Sequence, residues 1–334
     1  MKDRSLQVLT FFNFSIFSGL LVYGAYGLKK KILLLVFVIA FALSFVLFNH
    51  LKKAIKFQFL LAIVGLIFLA PTIQKYVSYN NDWQSQPDKI EGVLLKNTPN
   101  IYVIQPDGYI GLSEIEQGNY KMDNTAFNTF LSDHNFTTYP NFRSNYYSTL
   151  SSNSALFAMK HHYYNRTAQV GSELLMARDV IISENPVLSI LKNNDYATSL
   201  ILENSYLLAS RPKMGYDFSN ITYNDLPIVL SGFEFKNDVL NDLEVAFKNR
   251  KEGRYFYFIE RIIPGHIATL KSYSEGRDIE REKYAARVEE ANTWLMDLVG
   301  LIDREDAEAL IMIVSDDGGC VGYEYSGQSH EIPK

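Results

Sequence analysis

Ile101-Tyr102-Val103-Ile104-Gln105-Pro106-Asp107-Gly108 is a short apolar run that stops at a proline and an Asp-Gly pair. Aliphatic, β-branched and aromatic side chains closed by turn residues read as a buried strand. The arrangement returns where Leu310–Val314 runs into Ser315-Asp316-Asp317-Gly318-Gly319. Ala197–Leu202 and Tyr255–Ile259 are further strand-like runs, and helical spacing covers Asp123–His134, Pro186–Asn193 and Glu234–Lys248. From Tyr284, apolar residues recur at Val288, Ala291, Leu295, Leu298 and Ile302, one face of a helix. Apolar strands alternating with amphipathic helices predict an α/β fold with a mostly parallel sheet and helices on both faces.

Upstream, the character changes. The average composition, 47% hydrophobic and 21% charged with net charge −5, describes an ordinary soluble protein of 334 residues. The charge is unevenly spread: residues 5–28, 32–51 and 57–74 contain no Asp, Glu, Lys or Arg. Each gap is close to the ~20 residues that cross a bilayer. Residues 1–75 therefore read as a membrane anchor of about three transmembrane helices, followed by a polar linker over 76–98. A signal peptide fits poorly, because the apolar pattern repeats and no clear cleavage site follows it. With three spans, Lys2, Arg4, Lys52, Lys53 and Lys56 share one side, and Lys29, Lys30 and Lys31 share the other with the α/β part. By the positive-inside rule the α/β part is extracytoplasmic. The single cysteine, Cys320, allows no internal disulfide and decides no compartment. No repeat, low-complexity tract or basic patch for nucleic acid is present.

In open α/β sheets, sites gather outside the carboxyl ends of the strands. Two strands end in acids here, Asp107 and Asp316-Asp317. Asp-Gly is also plain turn chemistry, so each end has a bland reading and a sharper one: oxygen ligands converging on a divalent cation. The run from Asn145 through Ser154 is crowded with hydroxyls and leads into an apolar helix start at Ala155–Met159. Hydroxyls there serve as caps, or they face an anion at a helix N-terminus. His266, in Ile263-Pro264-Gly265-His266, follows a strand, and His161-His162 follows the hydroxyl-rich segment. Solvated histidines are the plain reading of both.

In this order the pieces resemble the sulfatase/alkaline-phosphatase superfamily, and in particular its membrane-anchored branch of lipoteichoic acid synthases and phosphoethanolamine transferases. The resemblance spans residues 99–334. Pro99 through Gly108 is similar to the family's opening strand with its acidic metal ligand, and Asn145 through Phe157 to its nucleophile segment. Pro264-Gly265-His266 is similar to its substrate-contacting Pro-His-x-Pro, and Ser315 through Gly319 to its Ser-Asp-His-Gly metal motif.

The resemblance implies an alkaline-phosphatase/sulfatase-like fold behind N-terminal transmembrane helices, in a multi-pass protein of the cell membrane. It implies one divalent metal ion (Mn, Mg or Zn) on Asp107, Thr149, Asp316 and Asp317. Thr149 becomes the nucleophile, with Ser151 and Ser152 as fallbacks, and His266 a substrate-binding residue. The reaction implied is hydrolysis or transfer of a phosphate rather than a sulfate ester, on a membrane lipid or cell-envelope glycan. Three departures stand out. The Cys/Ser-x-Pro-Ser-Arg sequence of formylglycine sulfatases is absent, Asp317 stands where the family has histidine, and the family's fold continues past Ile332-Pro333-Lys334, so the resemblance implies a domain incomplete at that end. The last two also fit a non-catalytic relative that keeps the fold, and a plain membrane-anchored interaction domain is the reading without the resemblance.

Overall fold

The structure, a computed structural model, describes residues 2–26, 29–80, 82–118, 120, 122–146, 148–161, 175–227, 229–233, 235–268, 271–319 and 321. His162 and Cys320 lie outside them. The chain divides into two compact units, residues 1–81 with 222–231, and residues 82–221 with 232–334.

The first unit holds helices α1 (Lys2–Tyr26), α2 (Lys30–Val46) and α3 (Phe48–Val77). Inside it, Phe11 rests on Phe45 with ring centroids 4.0 Å apart, and the Asn13 amide donates to Gln58 Oε1 at 2.6 Å. Thr10 and Ser15 return their hydroxyls to the carbonyls of Leu6 and Phe11, the usual way a helix hides such groups from an apolar surrounding. Two helical stretches, Arg4–Tyr26 and one running from Phe48, are long and apolar enough to cross a membrane. The expected middle span is shorter: α2 has 17 residues, about 25 Å against a hydrocarbon core of about 30 Å. α3 buries no residue, and Phe59 and Phe68 stay 71% and 77% exposed. A core helix of a soluble protein hides such side chains; a lipid-facing one does not.

The second unit is the α/β part. Five strands, β1 (Ile101–Pro106), β2 (Tyr196–Leu202), β3 (Phe218–Ser219), β4 (Arg254–Arg261) and β5 (Leu310–Ile313), form one sheet in the order β3-β2-β4-β1-β5. Every pairing is parallel. Of the expected helices, α5 (Thr125–Asp133), α8 (Pro186–Asn193) and α10 (Arg277–Glu305) are found, α9 (Val239–Asn249) begins later than Glu234, and α6 (Thr149–Phe157) begins at Thr149, earlier than Ala155; α4 (Leu112–Glu116) and α7 (Ala177–Ile182) were not expected. Residues 82–98, expected as linker, are packed: Trp83 is buried with Ala158 and Val180, and Asn194 holds the backbone at Val93 and Leu95.

Strand side chains alternate between faces. Tyr102 and Ile104 of β1, with Tyr257 and Ile259 of β4, meet α5, α9 and α10 in the main core. The opposite face meets α6, where Phe157 sets its ring edge-on to Phe258 at 5.0 Å. The alternation puts Val103, Gln105 and Asp107 on that α6 face. At the edge strand, Leu310 and Met312 remain exposed while Ile311 and Ile313 pack on the core. α10 is the main cover of the core face, with Leu295, Leu298 and Ile302 fully buried. Leu298→Ala in the full chain is expected to cost about 2–5 kcal/mol. A shift in the denaturation midpoint in detergent reads this out, and a loss below about 1 kcal/mol contradicts the packing described.

Candidate metal centre

Because the strands are parallel, their carboxyl ends share one edge of the sheet. Asp107 follows β1, Asp316 and Asp317 follow β5, Glu260 and Arg261 close β4, and Glu203 follows β2. The turn after β1 is fixed from three sides. Asp107 N donates to Arg261 O at 2.9 Å, Gly265 N donates to Asp107 O at 2.9 Å, and Tyr109 N donates to Ser315 Oγ at 2.9 Å. Gly108 adopts φ +70°, and a Cβ there would lie 3.1 Å from the Cα of Gly265. That close approach brings the loop after β4, and with it His266, over the end of β1. Arg287 of α10 reaches the carbonyls of Pro264 and His266 at 3.2 and 3.3 Å.

One ligand atom from each of Asp107, His266 and Asp317 lies within 4.8 Å of the others. Two ligands on one cation at about 2.0–2.2 Å are at most about 4.4 Å apart, so a shift of a few tenths of an ångström closes the set. His266 Nε2 is 3.7 Å from Asp317 Oδ2. Thr149, the first residue of α6, donates its hydroxyl to Asp107 Oδ2 at 3.3 Å. Asp316 Oδ1 accepts from Gly108 N at 3.4 Å, and its carboxylate is also within reach of the Thr149 hydroxyl. All three aspartates are buried.

Burying like charges side by side is costly, and the acidities show it. Burial, then the charge of Asp317, pushes Asp107 up to about 6; His266 and the Thr149 hydroxyl offset part of that. Asp316 is raised well above the usual carboxylate range, by burial first and then by Asp107 and Asp317. Asp316 Oδ2 and both carboxylate oxygens of Asp317 are buried without a hydrogen-bond partner among the described residues. Orphaned buried oxygens beside an imidazole are what a divalent cation requires, so the residues present fit one.

The sequence-derived candidates are not all drawn together. Asp107, Thr149, Asp316 and Asp317 meet. His266, expected to contact substrate, stands among the potential ligands. Ser152 turns away, giving its hydroxyl to the carbonyl of Tyr146 at 3.0 Å. His161 lines an adjoining cavity of about 400 Å³ together with Lys160 and Asn153, and that cavity shares Asp316 with the cluster.

Several supporting residues escaped the sequence reading. Glu203 accepts from Arg261 Nε at 3.2 Å and from Ile262 N at 3.0 Å, anchoring the start of the His266 loop. Tyr284 donates to the carbonyl of Gly108 at 2.6 Å, and its ring fills the space where a Cβ on residue 319 would lie. Glu203 also sits at a strand end, so the rule that singled out Asp107 could have found it. Tyr284 falls on the apolar face of α10, and its pattern alone says core. Glu260 is fully buried, accepts from Gln105 Nε2 at 3.3 Å, and is raised well above its ordinary range, by burial first and then by Asp107 and Asp316.

No family model matches the chain, and no curated protein does. Among solved structures, the integral membrane lipooligosaccharide phosphoethanolamine transferase A of Neisseria meningitidis is similar at 16% identity and a TM-score of 0.42. The match covers 89% of this chain and 58% of the transferase, so the chain spans well under two thirds of its length. The soluble domain of the same transferase matches at 12% identity and a TM-score of 0.40, covering 67% and 68% of the two chains. The protein Ps i-CgsB matches at 13% and 0.41, covering 69% and 60%.

An acid whose pKa is raised by folding binds its proton more tightly folded than unfolded. Without a cation, Asp107 therefore contributes a cost that is absent below the ordinary 3.8 and grows as pH rises through about 6. Asp316 and Glu260 act in the same direction. For the chelated full chain, Asp107→Asn is expected to flatten the fall of Tm between about pH 4 and about pH 6. Added Mn should raise the wild-type Tm more at the higher pH, where no proton competes for the carboxylates. An equal effect at both pH values speaks against the site.

Proposed function

We propose that this chain is a membrane-anchored, divalent-metal-dependent enzyme that hydrolyses or transfers phosphate esters, rather than sulfate esters, at the extracytoplasmic face. The observation that carries the reading is the meeting of the Thr149 hydroxyl, at the start of a helix, with Asp107 in a cluster of buried carboxylates and an imidazole. Asp107, His266 and Asp317 would hold the cation, with Asp316 and Thr149 beside it. Such an ion supplies positive charge against the ester oxygens and makes a neighbouring hydroxyl more acidic.

The chain's own residues supply the rest. Thr149 Oγ1 forms the bond to phosphorus while the bond from phosphorus to the ester oxygen breaks. The Thr149 proton has Asp107 Oδ2 as an acceptor at 3.3 Å. The leaving oxygen takes its proton from solvent. Water or a glycan hydroxyl then displaces Thr149, giving hydrolysis or transfer. Thr149 is the first residue of α6, and the start of a helix suits an anionic group.

A membrane lipid or a cell-envelope glycan phosphoester is the substrate class this location supports. Three crossings support an extracytoplasmic placement: α2, though short, can cross with modest local thinning of the bilayer.

The non-catalytic alternative has one observation in its favour, the surplus of carboxylates in the cluster, which opposes an anionic ester. A phosphodiester assay on the purified full chain with Mn, Mg or Zn separates the readings. Thr149→Ala should lower turnover on the order of 10³-fold or more while metal content is unchanged. Acid quenching during turnover should leave a phosphoryl group on the peptide that carries Thr149. Asp317→His should raise affinity for Zn, since it exchanges a carboxylate for an imidazole. Turnover that survives Thr149→Ala removes the nucleophile assignment, and a chain that neither binds metal nor turns over is the non-catalytic relative.

A further inference from the structure

The chain leaves the α/β unit after Ile221 and rejoins it at Gly232; the residues between belong to the same compact unit as the membrane helices. Their sequence is Thr222-Tyr223-Asn224-Asp225-Leu226-Pro227-Ile228-Val229-Leu230-Ser231, five consecutive apolar residues between polar flanks. Consecutive apolar residues in a loop have no periodic reason to exist in water, since neither a helix face nor a strand face uses them. Val229 is 72% exposed, so its side chain is not spent on the protein core.

The contact the loop makes is specific. Val229 N donates to the carbonyl of Gly24 at 2.9 Å. α1 ends at Tyr26, so Gly24 O is one of the last four helix carbonyls, which lack an intrahelical donor. One bond thus satisfies two backbone groups that lipid would leave unsatisfied, a condition any irregular segment near hydrocarbon must meet. Tyr23 and Tyr26 flank Gly24, and Lys29, Lys30 and Lys31 follow. Tyrosine followed by lysine is the pattern of a helix leaving the hydrocarbon for the headgroups. The depth of the loop is fixed by the carbonyl it meets, and that depth is the membrane interface.

Leu226 turns into the protein and is buried; we infer that the stretch beyond it forms an interfacial clip, which beds Val229 at the boundary between lipid headgroups and acyl chains beside the end of α1. The occupant of the apolar surface is lipid. The clip is a second stretch of sequence, besides the three helices, that meets the bilayer. The inference rests on the reading of α1 as a membrane helix, not on the chemistry of the metal centre.

The test uses the full chain in liposomes, with Cys320→Ser removing the single cysteine. Val229→Cys, Leu20→Cys and Asn224→Cys are labelled one at a time with a polarity-sensitive fluorophore. Leu20, 61% exposed on α1, is the reference for lipid; Asn224, in the polar flank, is the reference for water. With lipids brominated along the acyl chain, emission from position 229 should fall as it does at position 20. Aqueous iodide should quench position 224 and spare position 229. Depth resolved by the bromine position should be shallow, about 5–10 Å into the boundary. If position 229 responds to iodide like position 224, or is shielded from both quenchers by protein, while position 20 still senses lipid, the clip is wrong and the membrane helix stands. If position 20 also fails to sense lipid, the membrane reading of α1 falls and the clip with it.

Discussion

Most of the α/β part follows from one awkward requirement: several carboxylates must be held out of water at the same edge of a parallel sheet. Asp107, Asp316 and Asp317 are all buried, and the pKa values of Asp107 and Asp316 are pushed up by burial first and then by neighbouring carboxylates. Such a cluster does not assemble because its members attract each other. It is imposed by backbone, and the backbone that imposes it is unusually well tied. The strand ends supply parallel hydrogen bonds up to Asp107, and beyond that point Ser315 and Gly265 continue the work.

The ties run back to the core through α10. Its apolar stripe fills the main core, while Tyr284 and Arg287 near the start of that stripe reach upward to the turn at Gly108 and the loop at His266. The same helix therefore stabilises the sheet and sets the position of the site. Gly319 lies against the Tyr284 ring with no room for a Cβ, and Tyr120 donates to its carbonyl at 2.5 Å. Geometry at the cluster is thus linked to packing, and a change at Tyr284 alters two of the turns that present acids.

The sheet was legible in the sequence because its strands are continuous apolar runs that stop at turn residues, even at the edge, where one face of β5 stays exposed. Ile101–Gln105 and Leu310–Val314 declare themselves, and so does the stripe of α10. The acids were legible for a related reason: turn residues after a buried strand are few, and charge there is conspicuous. What escaped was anything whose meaning depends on a partner far along the chain. Tyr284 reads as core until its hydroxyl is seen at Gly108, and Glu203 as solvated until Arg261 and Ile262 close on it. The packing of residues 82–98 was hidden by composition, since a polar stretch with Asn and Pro reads as linker. Its hold on the domain comes from Trp83 and from the side chain of Asn194, about a hundred residues away.

The position of His266 bears on the charge of the cluster. Counting along the motifs gives three carboxylates and a hydroxyl around the ion, an oxygen-only set that favours Mg or Mn. The structure puts an imidazole within ligand distance of Asp107 and Asp317, arriving from the loop after β4 rather than from the turn after β5. Asp316, meanwhile, accepts from Gly108 N and is raised well above the usual carboxylate range, by burial first. Two carboxylates and one imidazole carry no more negative charge than the mixed sets that Zn accepts. Asp317 in the place of a histidine therefore does not by itself make the site too acidic for an anionic ester. A cation held by Asp107 and Asp317 would offset the two charges that, after burial, raise Asp316, so the balance of charge in the cluster follows the presence of the ion and not the count of carboxylates alone.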